Sequence, residues 1–388
     1  MLKSIFKSLV GLTVGIIAGF LIAAILIVCF TDTSFAEFIG KIESTKFNEG
    51  IIAGGIGALA FLLSLMVLIV LHESGHLVCG LLSGYRFVSF RIFSLTFIKT
   101  DGKLQLRRFA IAGTGGQCLL TPPDLPMEKI PTGWYNFGGV LFNLIALFAV
   151  VPLFFVKGHP ILSECIVVFA LTDIMLILLN GIPLKVSGVG NDAYNMLLLR
   201  KNPEAKRGLV LALRSNALIQ EGVRPKDMPA DWFVVPEKID YRDQLEVSIP
   251  MMAAARLVDE MRYGDARKAY ESLYRNKREL ITLYVKEIAC ELVFLRLVCG
   301  DNAGAEALLD EKLKHYIKAY RKVMSSKERI LCAIALKLDN SVEEAATIYD
   351  GVLQRRHDYL LQGEVNSDLA IMHDILEKQG LDLPQIIP

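Results

Sequence analysis

His72 and His76 stand one helical turn apart, with Glu73 between them, in the run His72-Glu73-Ser74-Gly75-His76. Residues four apart on a helix share a face, so both imidazoles can reach one metal ion while the glutamate addresses a metal-bound water. Zinc suits such a set. It takes three protein ligands in a catalytic site, keeps a fourth position open, and lowers the pKa of water held there to about 7. Glu73 would then accept that water's proton and pass it to a leaving amine. The chemistry expected of these residues is hydrolysis of peptide bonds.

Two acidic residues are open as the third ligand. Asp192 follows the break Asn180-Gly181-Ile182-Pro183 and the segment Ser187-Gly188-Val189-Gly190. The glycines and Pro183 let the chain turn back to the level of the histidines, which favours Asp192. Asp173 lies about 10 Å deeper in the same apolar run than Asn180. A carboxylate within a membrane span marks a functional site by default, and its plainer use is a hydrogen bond between helices. His159, His315, His357 and His373 are isolated in the sequence and are not expected to be ligands.

The elements that must hold these groups emerge from composition. The 388-residue chain is 53% hydrophobic yet 21% charged, with a mean hydropathy of +0.43. The apolar residues concentrate before residue 184 and the charged ones after it, so a membrane domain followed by a soluble domain is expected. A net charge of +1, with no basic stripe, excludes nucleic acid as the expected partner. The seven cysteines form no metal-type spacing and read as reduced packing residues.

Crossing a bilayer takes about 20 apolar residues, and four runs qualify, near 9–30, 51–82, 134–156 and 161–184. The first is too long for the apolar region of a cleaved signal peptide and is expected to be retained. Arg86, Arg91, Lys99, Lys103, Arg107, Arg108 and Lys129 crowd the segment between the second and third runs. By the positive-inside rule, that segment and both termini are cytoplasmic. A compact form of this kind suits a bacterial cytoplasmic membrane. Within the segment, strand-like sequence at 85–109 flanks Thr100-Asp101-Gly102, which predicts a two-stranded hairpin whose edge could receive an unwound peptide. The stretch from Gly113 to Gln117 and on to Pro123 is expected to be a loop.

The fold expected is therefore an α-helical membrane protein. Residues 1–200 hold about four spans and a cytoplasmic β-hairpin, 201–248 form a linker, and 249–388 an all-α soluble domain. Three turns recur in that domain: Gly264-Asp265 with Ala269, Gly300-Asp301 with Ala305, and Asn340-Ser341 with Ala345. Their spacing is near the 34-residue period of tetratricopeptide helix pairs, which bind peptides or proteins on a concave face. A cytosolic protein is the partner expected there.

Taken together, His72-Glu73-Ser74-Gly75-His76, Gly139-Val140-Leu141-Phe142-Asn143 and Asn180-Gly181-Ile182-Pro183 leading to Asp192 resemble the site-2 protease family of intramembrane metalloproteases over residues 50–200. The resemblance implies that His72, His76 and Asp192 bind Zn2+, that Glu73 is the general base, and that Asn143 helps hold the substrate strand or the oxyanion. Asn143 has an independent argument, since an amide two turns inside a span needs a polar partner. The chain departs from the family at Val140, where proline is usual, and at Ala193, where glycine is usual, and Asp192 follows Pro183 after a long spacer. The activity implied is cleavage of a membrane-spanning or membrane-associated polypeptide within the lipid bilayer. The alternative is a non-catalytic membrane scaffold whose helical domain binds cytosolic partners.

Overall fold

The computed structural model describes residues 40, 47–100, 103–108, 115–156, 159–186 and 188–381. The run near 9–30 lies outside them. Among the described residues, three helices are long and apolar enough to cross a membrane: Gly54–Leu82, Met127–Phe155 with its flanking turns, and Pro160–Gly181. The chain divides into two compact units. One gathers residues up to 80 with 134–184 and 191–194, the other 81–133 with 185–190 and 195–388.

In the first unit, α1 (Phe47–Leu82) buries Ala60, Ser64 and Leu68, while Leu59, Leu62, Leu63, Met66 and Val67 stay exposed. The three- to four-residue spacing of this set continues through His72, His76 and Cys79, so one stripe of the helix faces its neighbours. The exposed apolar remainder suits lipid. Helix α2 (Gly133–Val150) ends in a 3-10 turn at Val151–Phe155, and α3 (Pro160–Gly181) follows. α1 and α2 touch backbone to backbone. A Cβ on Gly75 would collide with the Gly138 carbonyl, and one on Gly138 with the Gly75 carbonyl. Small residues permit this approach between membrane helices.

The second unit carries a four-stranded antiparallel sheet, not the single hairpin expected. Strands β1 (Arg86–Ile92), β2 (Leu95–Thr100), β3 (Lys103–Arg108) and β4 (Gly116–Thr121) lie in the order β3-β2-β1-β4. Thr100 pairs with Lys103; the expected turn residues Asp101 and Gly102 lie outside the described residues. The β1–β2 connection escapes sequence reading because its turn is Phe93-Ser94, with Phe93 in the left-handed region at φ 52°. Neither residue is a usual turn former there. The expected loop after Gly115 is β4, whose Cys118 and Leu120 alternate into the core; its neighbouring glycines masked that alternation.

Beyond residue 184, β5 (Lys185–Val186) and β6 (Val189–Gly190) form a small hairpin turning at Gly188, φ 88°. Helices α4 (Asp192–Lys201), α5 (Pro203–Gln220), α6 (Gln244–Asp259), α7 (Tyr263–Arg275) and α8 (Thr282–Val298) follow, then α9 (Asn302–Glu306), α10 (Glu311–Tyr320), α11 (Ser325–Lys337), α12 (Val342–Gln354) and α13 (Gln362–Glu377). Much of the segment expected as a linker is thus the helix α5, capped by Asn202, whose side chain accepts from the Ala205 amide. α5 packs on α6, α6 on α7, α7 on α8, α8 on α11, and α11 on both α12 and α13. The sheet belongs to the same compact unit as these helices, and Arg214 of α5 donates to the Pro123 carbonyl after β4.

The recurring turns are real but differently registered. Their left-handed residues are Met261, Gly300 and Asn340, and the alanine five residues after each, Ala266, Ala305 and Ala345, is fully buried. Gly264 instead lies inside α7. The turns recur at 39 and 40 residues, longer than the roughly 34 of tetratricopeptide pairs. Cys79, Cys118, Cys165, Cys290, Cys299 and Cys332 are all free thiols.

Two substitutions test this packing. Gly75→Ala forces α1 and α2 apart and is expected to cost about 1–3 kcal/mol, read as a lower midpoint of thermal unfolding in detergent. Asp259 is buried and holds Arg224 at 2.6 and 2.9 Å and the Lys226 amide at 2.9 Å. Asp259→Ala strands those donors and is expected to cost about 3 kcal/mol, read by chemical denaturation.

Candidate active site

All of the site's side chains that the structure brings together belong to the first unit. His72 and His76 project from the same face of α1, their ring centroids 4.8 Å apart. His76 Nδ1 lies 2.7 Å from the Tyr135 carbonyl oxygen. A carbonyl only accepts, so His76 carries its proton on Nδ1 and leaves a lone pair on Nε2. His72 Nδ1 lies 2.8 Å from Asn143 Oδ1, while the same amide donates through Nδ2 to Asp173 Oδ1 at 2.6 Å. The amide oxygen is therefore the acceptor toward His72, and His72 too carries its proton on Nδ1.

With both protons placed, the two Nε2 lone pairs face each other at 3.2 Å. Asp192 Oδ2 completes the triangle at 3.0 Å from His72 Nε2 and 3.4 Å from His76 Nε2. It is buried and makes no hydrogen bond. Three electron-rich atoms within 4.8 Å of one another repel unless a cation sits among them. The donor set, two neutral imidazoles and one carboxylate, fits a catalytic zinc ion.

Asp192 reaches the histidines through a fold of the chain that its long spacer conceals. The β5–β6 hairpin takes up the intervening residues, so the Asn191 amide bonds the Leu184 carbonyl at 3.0 Å. Asn191 then fixes both sides of the break. Its Nδ2 donates to the Leu179 and Ile182 carbonyls, each at 2.6 Å, at the end of α3. Its Oδ1 accepts from the Leu184 amide at 3.2 Å and from the Tyr194 amide at 2.9 Å in the first turn of α4. Asn191 escaped sequence reading, although an asparagine ahead of a helical run is a recognisable cap signal.

The other acidic alternative stands one layer away. Asp173 is wholly buried and meets Asn143 rather than the imidazoles, its Oδ2 making no hydrogen bond. Asn143 is itself wholly buried, with both ends of its amide engaged by His72 and Asp173. Glu73 is half-buried on the turn between the two histidines. The steric role of Gly139 emerges only from the structure: a Cβ there would stand 2.5 Å from His72 Nε2 and 2.7 Å from His76 Nε2. The hydrogen at that position is what leaves room for both rings.

No curated protein and no solved structure matches the chain. The model of peptidase family M50 matches residues 60–361, well over half of the chain and all of the residues just described. The chain belongs to this family of intramembrane metalloproteases.

Proposed function

We propose that this chain hydrolyses peptide bonds of membrane-associated polypeptides at a zinc ion held by His72, His76 and Asp192, with Glu73 as general base. The observation that carries the reading is the convergence of two unprotonated Nε2 atoms and Asp192 Oδ2 on one point. When bound, zinc supplies a Lewis acid that polarises a carbonyl and lowers the pKa of water. Glu73, adjacent to His72 on α1, takes a proton from the attacking water and returns it to the departing amine. Tyr135, through its carbonyl, and Asn143, through its amide oxygen, hold the imidazoles in the tautomer that presents Nε2. Asp173 in turn fixes the orientation of Asn143. Such outer partners orient metal ligands and raise their basicity. The basic residues between α1 and α2 support a cytoplasmic location for that segment.

The test uses purified protein in detergent with a quenched fluorogenic peptide bearing an apolar, membrane-spanning core. Glu73→Gln is expected to retain zinc and to lose cleavage by about 100- to 10,000-fold. Asp192→Ala is expected to lose zinc and cleavage together. Wild-type protein that binds no zinc would sink the reading and leave the scaffold alternative.

The role given to Asn143 has its own measurement. Asn143→Ala is expected to weaken zinc binding by about 10- to 100-fold in competition with a chelator, and Asp173→Ala to weaken it in the same direction. Slower cleavage with zinc affinity unchanged in Asn143→Ala would favour a substrate-holding role instead.

A further inference from the structure

The helical part of the second unit carries a partly open cavity of about 310 Å³, within the range of ligand sites at roughly 300–1,000 Å³. One wall is apolar and deformable: Met228, Met251, Met252, Met324 and Phe233. Unbranched thioether side chains repack around varied partners, and methionine-rich walls recur at surfaces that bind diverse peptides. The rest of the lining includes charged groups. Glu287 and Glu291 of α8, Glu364 and Asp368 of α13, and Arg329 of α11 face the same space.

Most of these charges satisfy one another. Glu287 accepts from Lys327 Nζ at 2.6 Å and from the Tyr316 hydroxyl at 2.5 Å. Arg329 donates to both oxygens of Glu291 at 2.8 and 2.9 Å and to Asp368 at 2.6 Å, and Asp368 also accepts from the Ser325 hydroxyl. Three groups on the cavity wall are left over. Ser215 Oγ is buried without a partner, and so is Arg329 Nη1; both side chains are at least 95% buried. The Glu364 carboxyl accepts no hydrogen bond, and burial, with the charges of Asp368 and Glu287 beside it, raises its pKa to about 8. The four carboxyls lining the cavity meet two cations, Arg329 and Lys327.

Unpartnered buried groups cost free energy that a fitting ligand recovers. Two leftover donors ask for carbonyl-type acceptors, the methionine wall asks for an apolar side chain, and the Glu364 carboxyl, crowded by neighbouring carboxylates, releases its proton when a cation arrives to pair with it. One ligand class supplies all three within a few ångströms: a peptide segment with a lysine or arginine beside apolar residues. We propose that this cavity is a binding site for such a basic-apolar peptide segment, separate from the zinc site. It goes beyond the proteolytic reading and holds whether or not the zinc site hydrolyses anything.

The experiment uses the full chain carrying Glu73→Gln, so that the probe is not consumed. The probe is a fluorescein-labelled heptapeptide with a central lysine flanked by leucine and phenylalanine, followed by fluorescence anisotropy. The lysine peptide is expected to bind at least tenfold more tightly than the same peptide with norleucine or glutamate at the centre. Glu364→Gln is expected to erase that preference, Ser215→Ala to weaken the lysine and norleucine peptides alike, and Met252→Trp, by filling the cavity, to abolish binding of both. Equal binding of the three peptides would overturn the proposal, as would a preference that survives Glu364→Gln or binding unchanged in Met252→Trp. Displacement of the peptide by spermidine at equal concentration would overturn it too, by identifying a simple polyamine as the ligand.

Discussion

The backbone contact between α1 and α2 is the constraint on which the rest of the first unit depends. Gly75 and Gly138 have no room for a methyl group, and Gly139 has none beside the imidazole rings. That closeness is what lets the Tyr135 carbonyl reach His76 and the Asn143 amide reach His72. A separation of even one or two ångströms would break both bonds, free both ring tautomers, and disperse the atoms that now converge. The glycines thus act on chemistry through geometry, without contributing a functional group.

Asp192, the carboxylate beside the two imidazoles, is placed by a different device. Asp192 begins α4, and Asn191 ties that turn to the end of α3 through four hydrogen bonds. A flexible approach to the histidines would lose conformational freedom each time the site assembled. Here the cost is met during folding, because the β5–β6 hairpin closes the spacer locally before Asp192 is reached. The spacer's length is therefore no measure of how far the carboxylate lies from the imidazoles.

What the sequence made legible divides along the range of the interaction concerned. The one-turn spacing of the histidine pair and the apolar stripes of three helices depend on local spacing, and both appear in the structure; Asp192 lies beyond a long spacer, and only the folded chain shows it beside the imidazoles. The turn at Phe93-Ser94 and strand β4 were illegible because tertiary packing there overrides weak local signals. The recurring turns were legible at Gly300 and Asn340, whereas the first turns at Met261 rather than Gly264, because a methionine in the left-handed conformation has no sequence signal. The steric role of Gly139 had no sequence signature beyond its neighbourhood. Glycine says only that a Cβ is dispensable, and what presses against it comes from another helix.

The polar groups around the two imidazoles form one connected chain in largely apolar surroundings. It runs from Asp173 through Asn143 to His72, across to Asp192 and His76, and ends on the Tyr135 carbonyl. Each link, buried alone, would cost several kcal/mol in a hydrocarbon medium. Linking them leaves unmet demand at two places, Asp173 Oδ2 and the cluster of Nε2 and Asp192 atoms. The chain holds two carboxyls and no cationic side chain, and Glu73 adds a third nearby. A divalent cation at the cluster would offset that negative charge, polarise every hydrogen bond upstream, and make the buried Asp173 less costly to keep. A metal bound there and this outer layer would stabilise one another, so loss of either would loosen the other.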